Sequence, residues 1–281
     1  MKTIKEIKMT TTSNILECKS FIRNFILNGN IDELVEIIDE LINNNTSDIL
    51  TLINQSVSQP DTLSLLIKAI IDSPTLFARM QDQSYYHENG FHKIVLLSSK
   101  NFKLRLHHFG VSSKIPMENI HDHRWAFAST ILSGTLEMDM FEQSEHMNDE
   151  DKLIHYVYNS DKSNGSYSTD KVGIVCLNKI ESRFYQCGET YLMLPDELHR
   201  IKNQEGQESI TLILTGKPEN NTCNLYALRE ISDVEKNTIK YGEHELRKML
   251  ENNIVNQIIC HDHYSSGKSE LPRIQYMAIA K

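Results

Sequence analysis

Apolar positions change rhythm twice along this chain. Over residues 13–80 they recur at helical spacing: Leu34, Ile37, Ile38 and Leu41 fall at i, i+3, i+4 and i+7 within 31–42, and Leu63, Leu65, Leu66, Ile70 and Ile71 extend the pattern in a second segment. The polar run 43–48 and the Gln59-Pro60-Asp61 break separate these segments, the first ending as a helix N-cap. From about residue 91 short β-rich runs take over, at 92–98, 102–109, 125–132, 135–141, 153–158, 172–177, 183–186, 190–194 and 209–215. Turn-like clusters at 99–101, 133–134, 159–170 and 204–207 punctuate them, and the acidic stretch 142–152 reads as an exposed loop. Many short strands at this spacing predict an antiparallel sandwich or barrel. Helical spacing returns over 230–257, with Asp233 as cap and Val234, Ile239, Leu246, Leu250 and Ile254 on a partly apolar face; 260–281 reads as an irregular tail. Three zones follow: a helical region over 1–90, a barrel over 91–228, and a C-terminal helix and tail over 229–281.

Composition narrows the function classes. With 281 residues, 40% of them hydrophobic, the chain can bury one sizeable core. A formal net charge of −9 argues against nucleic acid as partner, because phosphate binding needs a clustered positive field. No apolar run approaches the roughly 18 residues that span a bilayer, and no apolar segment follows the charged N-terminus as a secretory signal would require. The 5 cysteines are scattered, odd in number and lack a Cys-x-x-Cys pair, which fits a reducing compartment, so a cytoplasmic protein is expected.

The chemistry concentrates in Ile120-His121-Asp122-His123-Arg124-Trp125-Ala126-Phe127. On a strand, residues i and i+2 share a face, so His121 and His123 project together, with Trp125, Phe127, Ser129 and Ile131 on the same parity as an apolar wall. Downstream, Gly188 to Leu194, a turn at Pro195, and His199 present a third imidazole. Three neutral imidazoles at one point suit zinc, iron, nickel or copper and leave coordination positions open. Asp122 points the other way, as an acceptor behind the ligands or a simple cap. A second His-x-His, His261 and His263, lies in the tail and reads as solvated. Arg124, on the opposite parity, is expected to pair with a carboxylate outside the barrel; Trp125 is core or pocket wall.

This two-part pattern, His121-x-His123 with Gly134, then Gly188, Pro195, His199 and Asn203, resembles the signature of the cupins. The fold the resemblance implies is mainly β, a double-stranded β-helix or jelly-roll barrel, with an N-terminal helical segment and a C-terminal helix. Phe127 stands where the usual pattern has a Glu ligand, and a three-histidine cupin without it is similar to the thiol dioxygenases, including cysteine dioxygenase. The resemblance spans about residues 70–218. It implies His121, His123 and His199 as metal ligands, Fe(II) as cofactor with Zn, Ni or Mn as alternatives, and a small thiol or carboxylate plus dioxygen as reactants. Cupins often pair through sheet edges, so the resemblance also allows a homodimer. The chain departs from cysteine dioxygenases at three places: no Arg stands near His92 and Lys93 to grip a carboxylate, Phe127 replaces a cross-linked cysteine, and 209–215 holds no tyrosine to complete that cross-link.

Arg105 is a substitute anion clamp. It shares parity with His107 and Phe109, while Leu104 and Leu106 take the other face. If the leucines face the outer layer, Arg105 and His107 point into the barrel; with the strand turned over, both are surface residues. His107 reads as accessory ligand, acid/base group or hydrogen-bonded core histidine, and Tyr191 could reach the pocket. The expected activity is a mononuclear non-haem iron dioxygenase acting on a small polar substrate, the alternative a metal- or ligand-binding cupin without turnover.

Overall fold

A computed structural model describes residues 12–45, 47–87, 89–110, 118–144, 152–161, 166–202, 206–231, 239–254 and 274–275. Five helices come first: α1 (Thr12–Leu27), α2 (Ile31–Asn44), α3 (Asp48–Val57), α4 (Pro60–Asp72) and α5 (Pro74–Gln83). Local chemistry sets their limits. Gly29, at φ +74°, ends α1 in the left-handed conformation; the Asn30 N–H reaches Phe25 O and the Gly29 N–H reaches Ile26 O, which satisfies two orphan carbonyls of the last turn. α4 and α5 both open on proline, whose missing N–H costs nothing in a first turn, and the Ser73 hydroxyl accepts the Leu76 N–H of α5.

The strands are β1 (Tyr85–Tyr86), β2 (Phe91–Ser98), β3 (Lys103–Phe109), β4 (Ile120–His121), β5 (Phe127–Ser133), β6 (Thr135–Gln143), β7 (Lys152–Asp161), β8 (Ser166–Gln186), β9 (Thr190–Met193), β10 (Leu198–Lys202), β11 (Ser209–Thr215), β12 (Thr222–Ala227), β13 (Ile239–Lys240) and β14 (Ile274–Gln275). One sheet runs β13-β1-β2-β3-β11-β5-β9-β14, and the other closes on itself as β10-β4-β12-β7-β8-β6. Strands β3, β11, β5 and β9 in the first sheet face β4, β10, β6 and β8 in the second, and the chain alternates between them. That is the strand order of a jelly roll, as the cupin resemblance implied.

The first sheet has two unlike faces. Its outer side chains, Leu104, Leu106, Ala128, Leu132, Ile210, Leu212 and Leu214, join the buried residues of the five helices in one core. Its inner face, with Phe91, Phe109, Phe127, Ile131, Tyr191 and Ile213, meets Leu136, Met138, Met140 and Tyr185 of the second sheet. Asn54 on α3, fully buried, joins helices to sheet: its Nδ2 donates to Ala128 O and Leu212 O, and its Oδ1 accepts the Thr130 hydroxyl at 2.5 Å. Gly134 makes the β5–β6 turn at φ +75°, where a Cβ would stand 2.2 Å from Glu208 O, so the glycine of the motif is there for space.

Several expectations change. The runs 172–177 and 183–186 are parts of one 21-residue strand, β8, which pairs first with β7 and then with β6 across an irregularity near Ile180. Residues 159–161 and 166–170, expected as a turn, belong to this long β7–β8 hairpin, and 142–143, expected in a loop, extend β6. In the C-terminal zone the described helical residues are α6 (Glu243–Lys248) and a π-helical turn over Met249–Ile254. Ile239 and Lys240 instead pair with β1, and Gly242 takes an extended conformation as the helix cap. Leu246, Leu250 and Ile254 are buried as expected. Ile274 and Gln275 of the expected tail add a parallel strand beside β9. Asp233, Val234, Asn203, His261 and His263 lie outside the described residues.

Two stability predictions follow from these contacts. Asn54→Leu removes the amide from two buried carbonyls and leaves the Thr130 hydroxyl with Thr190 alone, and is expected to lower unfolding free energy by about 2–3 kcal/mol in urea titrations. Asp139 sits on β6 with a fully buried side chain. Burial pushes its pKa up, but the Ser182 hydroxyl, Lys202 and Arg200 outweigh this and hold it at about 2, against an ordinary 3.8. A depressed carboxyl stabilises the fold fully above its unfolded pKa and loses that contribution as pH falls through the folded value. The stability gap between the wild type and Asp139→Asn is therefore expected to shrink between about pH 4 and pH 2, as read by thermal unfolding at several pH values.

Candidate metal centre

His121 ends β4 and stands directly opposite His199 on β10 in the antiparallel register. Directly paired residues of neighbouring strands project to one side, so this pairing alone brings two imidazoles together, from positions 78 residues apart in sequence (199 minus 121). His123 joins them from the connection after β4. The candidate ligand atoms of His121, His123 and His199 all lie within 4.8 Å of one another, and the ring centroids are 4.6–5.1 Å apart. The three histidines singled out in the sequence do converge, although the pleat argument for His121 and His123 does not apply: the strand stops at His121 and residues 122–126 are irregular.

Other contacts hold that irregular segment. Asp122, buried at 3% exposure, accepts the Asn224 backbone N–H and the Asn224 Nδ2–H, each at 2.6 Å, and its own N–H donates to Asn224 O. Asn224 Oδ1 in turn accepts from His155 Nε2 at 2.8 Å. Downstream, Arg124 O accepts the N–H groups of Glu219 and Asn220, and Ala126 O accepts that of Gly216. The His-x-His triplet is thus strapped to β12 and to the turn before it. Arg124 lies over the Trp125 ring, 5.1 Å from its centroid.

The donor set suits a cation. A carbonyl can only accept, so the 2.9 Å contacts from His121 Nδ1 to Asn119 O and from His199 Nδ1 to Glu197 O put a proton on each Nδ1 and leave each Nε2 with its lone pair. Burial first, and the field of His121 next, pull His199 down to about 3, and the same two causes hold His123 well below the usual histidine range. Neutral imidazoles with a fixed tautomer are what a divalent transition metal requires.

Around the triad, Trp125 stacks on His123 at 6.0 Å and Phe127 meets the same ring edge-on at 5.1 Å. Trp125 is half-buried against the inner core, and its indole N–H has no partner among the described residues. Behind Phe127 stands Tyr191, 5% exposed and stacked on Tyr185 at 4.4 Å; burial raises its pKa, which keeps its proton on. The open question for Arg105 and His107 resolves inward, because Leu104 and Leu106 belong to the helical core. Arg105 is 6% exposed, its Nε has no partner among the described residues, and burial brings the guanidinium down to about 10. His107 stacks on Phe91 at 4.4 Å, its Nε2 likewise lacks a partner, and burial followed by the Arg105 field holds it neutral.

Sequence reasoning passed over three side chains of this interior. Lys93 shares the inner face with His107, its cross-strand partner, and donates to the Tyr85 hydroxyl at 2.9 Å. Tyr185 lies on the half of β8 that pairs with β6. Glu197 keeps Oε1 buried and unpartnered, two residues before His199, and burial raises its pKa. Alternation in 91–98 separates Lys93 from Ile94, but nothing in the sequence says which parity faces the barrel interior.

No protein-family model and no curated protein matches this chain. Among solved structures it is similar to hydroquinone 1,2-dioxygenase PnpCD in complex with Cd2+ and 4-hydroxybenzonitrile, at 11% identity and TM-score 0.28, over 50% of this chain and 71% of that one. It is also similar to a cupin-2 domain containing protein from Shewanella frigidimarina, at 11% identity and TM-score 0.25, over 44% and 79% of the two chains. A third is a conserved protein with a double-stranded β-helix domain from Klebsiella pneumoniae, at 16% identity and TM-score 0.27, over 52% and 92%. Likeness at this level carries no argument about chemistry, which rests on the side chains above. No helix among the described residues is long and apolar enough to cross a membrane.

If the Asp122–Asn224 bracket orients His121 and His123, Asp122→Asn is expected to weaken Co(II) binding about tenfold or more, followed by the visible absorption of the bound ion, while far-ultraviolet circular dichroism stays unchanged.

Proposed function

We propose that this chain is a mononuclear metal-dependent cupin enzyme, a non-haem iron dioxygenase that acts on a small anionic substrate such as a thiol or carboxylate. The observation that carries the reading is the meeting of three imidazoles, two of them with Nδ1 committed to a backbone carbonyl, at one end of an interior that also holds the buried Arg105 guanidinium. Among the described residues no carboxylate joins the three histidines, so this donor set adds no charge of its own. A bound ferrous ion would keep its full positive charge for an anionic substrate, and would supply Lewis-acid and one-electron oxygen chemistry that side chains lack.

The chain's own residues have distinct parts in this scheme. His121, His123 and His199 would hold the metal through Nε2 of His121 and His199 and a nitrogen of His123. Trp125 and Phe127 exclude water from one side, and the unpartnered Trp125 N–H is available to a ligand in that space. Arg105 orients the negative end of the substrate away from the metal. Tyr191 stays protonated and serves as a hydrogen-bond donor, and neutral His107 can accept a proton or donate one from its unpartnered Nε2 side according to tautomer. The similarity to thiol dioxygenases makes small thiols the first substrates to try, with Fe(II) before Zn, Ni or Mn as the native ion.

The test combines elemental analysis of the purified protein with oxygen uptake by iron-loaded protein against a panel of small thiols and carboxylates. Expected are about one metal ion per chain, uptake with at least one substrate, and loss of both in His199→Ala. Full metal loading with no uptake across the panel overturns the enzymatic reading in favour of a binding module, in which His199→Ala would strip the metal without any change in chemistry.

A further inference from the structure

The interior of the first sheet carries two cations where one anion clamp was expected. Arg105 and Lys93 lie on adjacent antiparallel strands, and both face inward. Lys93 is opposite His107 and Arg105 is opposite Val95, so the two are diagonal neighbours on one face. Such neighbours are separated by about 7–8 Å at their Cα atoms, within reach of one another for side chains this long. The electrostatics agree: burial first, and then the field of Arg105, push Lys93 well below the usual lysine range. Lys93 spends one donor on Tyr85 Oη, and the Tyr85 hydroxyl also lies within the field of Arg105. Arg105 Nε and His107 Nε2 are buried without partners in the same space.

Two cations side by side in an interior, here Arg105 buried and Lys93 half-buried, normally have a carboxylate between them, because each loses hydration there. Among the described residues none stands there. Glu118, a buried carboxylate whose field reaches Tyr191, is already engaged by Asn89 Nδ2 and the Ile201 N–H. The missing negative charge is therefore expected from a ligand, and a pair of cations with orphan donors fits a doubly charged oxyanion better than a single carboxylate.

We propose that Lys93 and Arg105 form an oxyanion subsite inside the barrel, with His107 Nε2 as a third polar contact, that selects substrates ending in a dianionic tetrahedral group such as a phosphate monoester or phosphonate. This rests on the reading above for what happens at the metal, since it names the far end of the same substrate. Binding of the free oxyanion needs no metal, so the two can fail separately.

Isothermal titration of the full-length purified protein with inorganic phosphate, sulfate and acetate tests it. Phosphate and sulfate are expected to bind at least tenfold more tightly than acetate. Lys93→Met is expected to weaken phosphate at least tenfold, Lys93→Arg to restore most of it, and His199→Ala to leave it unchanged. Acetate binding as tightly as phosphate, or undetectable phosphate binding, overturns the subsite. So does phosphate affinity that survives in Lys93→Met but falls in His199→Ala, since the anion would then sit on the metal. Comparing anions on the wild-type protein keeps the test decisive even if a variant fails to fold. Oxygen uptake without phosphate selectivity would remove the subsite and keep the dioxygenase; phosphate selectivity without uptake would do the reverse.

Discussion

A buried imidazole whose Nδ1–H is committed to a backbone carbonyl has one lone pair left, and its direction is fixed by the backbone. His121 and His199 each make this commitment to the carbonyl two residues earlier in their own chain, Asn119 and Glu197, and they face each other across the β4–β10 register. The His199 lone pair is costly to leave unused, because burial holds its pKa at about 3 and so removes the alternative of protonation. The site thus follows from strand pairing more than from any loop conformation. His123 joins it from a segment whose Asp122, the residue between the two histidines, is bolted to Asn224 on β12.

That bolt gives the closed second sheet a purpose. In a plain jelly roll, β4, β10, β6 and β8 would show their outer face to solvent. Here the long β7–β8 hairpin and β12 fold over it and enclose a small core of Ile120, Phe141, Leu153, Leu177, Leu198 and Tyr226. The strands that carry His121 and His199 are therefore packed on both sides, which limits the motion of the two imidazoles. The buried Asp139 carboxylate, gripped by Ser182, Arg200 and Lys202, ties β6, β8 and β10 together on that covered side.

The first sheet divides its labour differently. Its outer face is largely apolar and mates with five helices through a core in which the buried Asn54 amide bonds the sheet. Its inner face carries Lys93, Arg105 and His107 among aromatic rings. Helical cladding makes that inner polarity tolerable: the outer core stabilises the sheet independently of the unpaired donors on the inner face. Arg105 and Leu106 are adjacent in sequence and serve opposite ends of this arrangement.

Much of this was legible in the chain itself. Helical spacing over 13–80, strand spacing from residue 91, Gly134 at a turn, and the His121-x-His123 pair with His199 downstream came from local pattern, because apolar periodicity and turn chemistry are properties of neighbouring residues. Local pattern could not join 172–177 to 183–186, since an irregularity near Ile180 hides the continuity of one long strand, nor could it place the start of α6 after Gly242. It also left Arg105 and His107 with two possible orientations and passed over Lys93, because alternation fixes which residues share a face and not which face meets the helices. The amino-acid order determined the elements and the candidate ligands; only tertiary packing decided that the leucines of β3 turn toward α3 and its neighbours, which forces the cations of the same strand and the next into the barrel.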